Sequence, residues 1–317
     1  MSVDRLAWAL LARAASGPCG PLVSLIDQVG PSRAVLMLQS GGLAVDQQIL
    51  DRGAGGLHVA ARDLDMMERV GGRLVTPEDE EWPPLLGCLP SCSDNAGDVP
   101  PVALWVRGNR SLREITDRAI AVIGARASTE YGNHVAAQIA GDLAGSGWTV
   151  VAGAAFGIDA AAHRAAMAVG GVTVAVMPCG LDRPYPTAHG RLLDSIADNG
   201  LVLTEYPPGA TVRRESFLDR NRLVAALSQA TVAVEAGRRS GTASTLRWAG
   251  RFGRSVFAVP GPVTSAASAG CHRFIAEGGA QLVTCAEDIR QALLERPPLG
   301  MAATPVNTPP ASQGGIR

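Results

Sequence analysis

The sequence predicts an α/β protein: an extended Rossmann-like, doubly wound, mostly parallel sheet with a small N-terminal helical domain. Two observations predict it. Beyond Arg118, short unbroken apolar runs recur at Ala119 to Ile123, Thr149 to Ala152, Val172 to Met177, Leu201 to Glu205, Thr231 to Glu235, Ser255 to Val259 and Gln281 to Thr284, with helical stretches between most of them. Before residue 70, the apolar spacing is helical and is cut by Gly-Pro pairs. Apolar runs that do not alternate are strands buried on both faces, and parallel strands need crossover helices to cover them.

Taken in order, Val3, Leu6, Ala7, Leu10 and Leu11, then Leu22, Val23, Leu25, Ile26 and Val29, mark helix faces. Breaks at Gly17-Pro18, Gly20-Pro21 and Gly30-Pro31 divide residues 1–70 into short helices, a SAM-like or helix-hairpin-helix-like unit expected to serve packing. Residues 71–117 read as an acidic, proline-rich connector, with Trp82-Pro83-Pro84 and Val99-Pro100-Pro101, closed by an extension strand at Val102 to Val106 and a turn at Gly108-Asn109. Residues 118–292 form the Rossmann-like domain, with a helix over Gly132 to Leu143 showing Val135, Ile139 and Leu143 on one face. Residues 293–317, with Pro297-Pro298, Pro305 and Pro309-Pro310 and no periodic apolar face, are expected to be a disordered tail with no winged helix.

Composition narrows the function. At 317 residues and 47 % hydrophobic content the chain can bury a sizeable core. No long apolar stretch or secretory leader is evident, so no membrane association is expected and a cytoplasmic location is. Cysteines at 19, 88, 92, 179, 271 and 285 are scattered, and only Cys88 and Cys92 lie close together, so reduced thiols are expected, with no metal and no cofactor. The net charge of −1 hides a polarity: nine acids against three arginines between Ala61 and Pro100, nine arginines against three acids between Tyr206 and Arg254.

In an open parallel sheet, ligands bind beyond the carboxyl ends of the strands. After the first long run comes Gly124-Ala125-Arg126-Ala127-Ser128-Thr129 before a helix, a place where backbone N–H groups, Arg126 and Ser128 can meet an anion. Neither Gly-x-Gly-x-x-Gly nor Gly-Lys-Ser/Thr occurs, which disfavours a dinucleotide and a Walker loop. The next loop holds Gly153, Gly157 and Asp159, with Asp159 suited to a helix cap, and His163 four residues on offers a weak acid/base pairing. Cys179 reads as a structural thiol. Arg213-Arg-Glu-Ser-Phe-Leu-Asp-Arg-Asn-Arg222 sets four arginines beside Phe217, either a solvated helix start or a seat for phosphates and a base. Arg238-Arg-Ser-Gly-Thr-Ala-Ser-Thr245 adds a second run of small hydroxyl residues at a helix start.

These segments resemble the DNA-processing protein A family, DprA or Smf. The resemblance is carried by Val122-Ile-Gly-Ala-Arg126 with Tyr131-Gly132, Gly157-Ile-Asp159 with Ala162-His163, Cys179-Gly-Leu-Asp182 with Tyr185-Pro186, Glu205-Tyr-Pro-Pro-Gly209, Phe217 with Arg220-Asn-Arg222, Val234-Glu-Ala236 with Ser240-Gly241, and Val259-Pro-Gly261 with Gly270-Cys271. It implies a dimeric, cytoplasmic mediator, not an enzyme. Such a protein binds and protects incoming single-stranded DNA and helps load the RecA recombinase in natural transformation. Carried over by position, the DNA contacts are Arg126, Ser128, Phe217, Arg220, Asn221, Arg222, Ser240 and Gly241, with Gly124, Gly153, Gly157 and Asp159 shaping the loops. The chain departs from the family in having Phe156 where an arginine is common and Phe217-Leu218 for Phe-Pro, and its Pro-rich tail is expected not to form the winged helix with which many members end.

Two other readings stand beside this one. A phosphoribohydrolase-like nucleotide-processing enzyme would use Arg238 to Thr242 as its phosphate loop and Glu235 or Glu205 as its acid. Alternatively, the acids from Glu78 to Glu81 would dock a partner, or form a solvated linker, the preferred reading of that segment.

Overall fold

The computed structural model describes residues 3–40, 46–90 and 98–295. Its N-terminal part is helical: α1 (Val3–Ala15), α2 (Gly20–Val29), α3 (Pro31–Gln39), α4 (Gln47–Gly53) and α5 (Gly56–Arg69). Pro21 and Pro31 sit in the first turns of α2 and α3, where a missing N–H costs nothing. Next come β1 (Gly72–Val75), a 3₁₀ turn at Pro84–Cys88, β2 (Leu104–Arg107) and α6 (Leu112–Asp117).

The expected alternation then unfolds as β3 (Ala119–Ile123), α7 (Glu130–Gly145), β4 (Thr149–Ala152), α8 (Ile158–Ala168), β5 (Thr173–Val176), α9 (Gly190–Asn199) and β6 (Leu201–Thr204). It continues with α10 (Arg214–Ala226), β7 (Ala230–Ala233), α11 (Thr242–Arg251), β8 (Ser255–Ala258), α12 (Ala269–Ala276), β9 (Gln281–Leu282) and α13 (Ala286–Leu294). Strands β3 to β7 are buried throughout, as their unbroken apolar runs require. The stretch expected to be a disordered tail lies, apart from its first three residues, outside the described residues; α13 carries the domain to Leu294.

Among the described residues, nine strands form one sheet in the order β1-β2-β6-β5-β4-β3-β7-β8-β9. From β6 to β9 every pairing is parallel, whereas β1 with β2 and β2 with β6 are antiparallel. The chain winds outward from β3 to β6, then α10 returns it to β7 on the other side of β3. The seam between β3 and β7 is therefore the switch point where loops diverge and leave a crevice.

Two features differ from expectation. The stretch read as a connector contains β1, whose Leu74 and Val75 are buried. Of the four acids from Glu78 to Glu81, three are engaged by side chains of the protein itself. Asp79 takes both guanidinium nitrogens of Arg5 at 2.7 and 2.8 Å, Glu81 takes Arg73 at 2.7 and 2.6 Å, and Glu78 accepts Trp8 Nε1 at 3.0 Å. The segment is a polar strap tying α1 to the sheet edge.

Candidate nucleic-acid interface

A pocket of about 270 Å³ opens at the switch point. The loop after β3 supplies Gly124 and Arg126, α8 supplies Asp159, α10 supplies Phe217, Arg220 and Asn221, and the start of α11 supplies Ser240 and Gly241. Helical geometry explains the contribution of α10: Phe217, Arg220, Asn221 and Val224 stand at i, i+3, i+4 and i+7, one stripe along the helix. Asn221 Nδ2 donates to the Gly241 carbonyl at 3.3 Å and so ties α10 to the mouth of α11.

Arg220 forms the floor. Its guanidinium lies over Gly153, where an added Cβ would come within 1.2 Å of Nη1, so only glycine leaves room for it. Burial holds the Arg220 pKa below its ordinary value, with the Asp159 charge acting the other way. Asp159 is itself raised by burial, and its carboxylate accepts the N–H groups of Gly153 at 3.0 Å and Ala155 at 3.3 Å. It thus orders the loop after β4 instead of capping its own helix. Arg220 Nε is buried with no partner among the described residues. A buried donor left without an acceptor is costly, which makes the floor receptive to an anion or a carbonyl oxygen.

The rim is aromatic and cationic. The exposed Arg126 guanidinium stacks over Phe217 at 4.7 Å from the ring centroid, and Tyr185 meets Phe217 edge-on at 5.4 Å. Phe156, 47 % exposed, meets His189 edge-on at 4.5 Å and borders a smaller cavity of about 150 Å³ shared with Arg126, Tyr185, Phe217 and Arg220. A base can stack on Phe217 once Arg126 swings aside, or on the outer face of Arg126, since guanidinium planes stack on aromatic rings.

Arg222 is a correction. It is 0 % exposed and paired with buried Glu205, so it has no face to offer a phosphate. Standing five residues after Phe217, it points away from the pocket stripe and into the core. Ser128 is also elsewhere: its hydroxyl donates to Asn133 Oδ1 at 2.6 Å, and it lines a separate open groove that shares Arg126 with the pocket. Gly157, with φ +74°, lets that loop approach; a Cβ there would meet the Ala125 carbonyl at 2.3 Å.

The two expected anion seats are unlike each other. The α7 start is already occupied by the protein: Glu235 accepts the Thr129 N–H at 3.0 Å and its hydroxyl at 2.5 Å, while Thr129 Oγ1 accepts the Gly132 N–H at 3.0 Å. The α11 start remains open, and the buried Ser240 hydroxyl there has no partner among the described residues. Thr242 and Thr245 also line the pocket. Both belong to the hydroxyl run visible in the sequence, and a spacing of three residues puts them on one helix face.

The acids named for a hydrolase are both engaged, Glu205 by Arg222 and Glu235 by Thr129. His163 is fully buried with its pKa lowered to about 3, chiefly by burial. Its Nδ1 bonds Thr173 Oγ1 at 2.6 Å, not Asp159, so the two do not form the acid/base pair their spacing allowed. Burial pushes the Cys179 thiol up to about 11, consistent with a structural role. Among the described residues no cluster of metal-binding side chains occurs and no helix is long and apolar enough to cross a membrane.

Residues 73–294 match the family of DNA recombination-mediator protein A. The chain is 48 % identical over 287 residues to a DNA processing protein DprA of Mycobacterium tuberculosis, covering 89 % of this chain and 73 % of that one. It is 35 % identical over 264 residues to DprA of Streptococcus pneumoniae, covering 81 % and 92 %. The X-ray structure of the Streptococcus pneumoniae protein superposes with a TM-score of 0.76 at 29 % identity, over 92 % of this chain and 98 % of that one. A Helicobacter pylori DNA processing protein A, solved for its single-stranded DNA binding mode, superposes with a TM-score of 0.60 at 30 % identity, over 70 % and 95 %. The chain belongs to the DNA recombination-mediator protein A family.

Proposed function

We propose that this chain is a single-stranded DNA-binding recombination mediator whose binding site is the pocket at the β3–β7 switch point. The observation that carries the reading is the placement of Arg126, Phe217 and Arg220 around one cavity, beside the open start of α11. Arginines beside an aromatic ring are what a flexible strand with unpaired bases requires. Protection of incoming single strands, loading of RecA, a homodimeric state and a cytoplasmic setting complete the proposal, supported by family membership. A binding role without catalysis is supported by the engagement of Glu205 and Glu235.

Salt-titrated binding of oligothymidylate, duplex and mononucleotide tests it. Arg126→Ala weakens binding to all sequences alike and flattens the logarithmic salt slope by about 0.7 per lost phosphate contact. Phe217→Ala costs about 1–3 kcal/mol on single strands and little on duplex. Wild-type affinity and slope in both variants, or release of free base from a mononucleotide, would overturn the assignment.

A further inference from the structure

Beside the pocket lies the smaller cavity of about 150 Å³, and Arg126, Phe217 and Arg220 line both. Its remaining side-chain walls are Phe156, Pro178, Tyr185 and Pro186, all of them rings. The loop that carries Phe156 is tied down on two sides. Asp159 accepts the N–H groups of Gly153 and Ala155, and the buried His189 donates from Nδ1 to the Ala154 carbonyl at 2.9 Å. Between these ties Ala154 stands at φ +52°, in the left-handed region that residues with a side chain ordinarily avoid. A backbone in that state persists only where its surroundings over-determine it, as they do at ligand clamps. The loop thereby presents an exposed phenylalanine to the cavity, its ring edge-on to His189 at 4.5 Å. On the polar side stands Arg220, buried, with its Nε lacking a partner among the described residues.

We propose that the smaller cavity is a second base subsite, in which Phe156 stacks on an unpaired base next to the one at Phe217 and Arg220 Nε donates to a carbonyl oxygen of that base. A flat ring bearing a carbonyl oxygen meets both needs of the cavity: its faces cover apolar walls, and its oxygen satisfies a buried donor. Bases of a single strand are free to turn out of the stack and enter such a space, whereas paired bases are not. The grip on the strand then depends on two neighbouring bases as well as on phosphates. This inference rests on the pocket being a single-strand site.

The test compares, in salt-titrated binding, a thymidine octamer with an octamer of the same sugar-phosphate backbone that carries no bases. Phe156→Ala lowers affinity for the thymidine octamer by about five- to 150-fold, the worth of one stacked base. The salt slope stays at its wild-type value, because no phosphate contact is lost. The abasic octamer binds this variant as it binds the wild type, which also shows that the site is still folded. Phe156→Tyr keeps the ring and restores the thymidine affinity. The inference falls if Phe156→Ala binds the thymidine octamer as wild type does, if it weakens both octamers equally, if the slope flattens, or if Phe156→Tyr fails to restore binding. Wild-type binding of the thymidine octamer by both Phe217→Ala and Arg126→Ala would instead sink the pocket assignment, and this inference with it.

Discussion

Arg222 and Arg220 are two residues apart and of one chemical type, yet the helix sends them to opposite tasks. Arg220 lies on the pocket stripe, while Arg222 is sealed against Glu205, with burial raising the Glu205 pKa and the arginine charge resisting that rise. Arg222→Ala therefore leaves a carboxylate buried alone, and urea unfolding should show a loss of about 3–5 kcal/mol. Arg222→Met combined with Glu205→Leu should recover most of that loss, since apolar groups of similar volume replace a buried pair at little cost. An Arg222→Ala protein of wild-type stability but weakened DNA binding would return Arg222 to the interface. The motif alone presented Arg220, Asn221 and Arg222 as one set. The 3.6-residue period anchored at Phe217 separates them, but only once it is known which face of α10 meets the core.

At the scale of elements, strands were the most legible feature because burial on both faces leaves unbroken apolar runs such as Ala119 to Ile123. Strand β1 was hidden because Gly72-Arg73-Leu74-Val75 has only two buried positions and is recruited by antiparallel pairing with β2, a partner about thirty residues away that local pattern does not reveal. Helix starts misled in a different way. The starts of α7 and α11 look alike in sequence, but a carboxylate from the far side of the switch point, Glu235, fills one and leaves the other free. Gly132 permits this, since a Cβ there would fall 2.3 Å from the Glu235 carboxylate. Thr129→Ala removes the oxygen that accepts the Gly132 N–H and should destabilise the protein by about 1 kcal/mol in denaturant unfolding. Single-strand affinity should be unchanged, because Thr129 does not line the pocket. A loss of affinity at unchanged stability would place the α7 start in the binding site.

For the whole molecule, the division into a helical domain, a connector and a Rossmann-like domain understates how the parts depend on one another. The core of the N-terminal helices, with Leu10, Leu11, Leu22 and Ala34 fully buried, continues through Leu74, Val102 and Trp105 onto the β1–β2 edge of the sheet. Trp105 is 0 % exposed, and Arg5 to Asp79 and Arg13 to Pro208 add polar ties across the same junction. A chain starting at residue 71 would open Leu74, Val99, Val102 and Trp105 to water, at a cost of about 1.5–3 kcal/mol for each large apolar side chain exposed. Its urea midpoint should fall well below that of the full chain, and binding of an apolar dye should rise as the β2 face is uncovered. If the shortened chain unfolds at the full-chain midpoint and binds no more dye, the helical unit is an independent module that rests on the sheet without stabilising it.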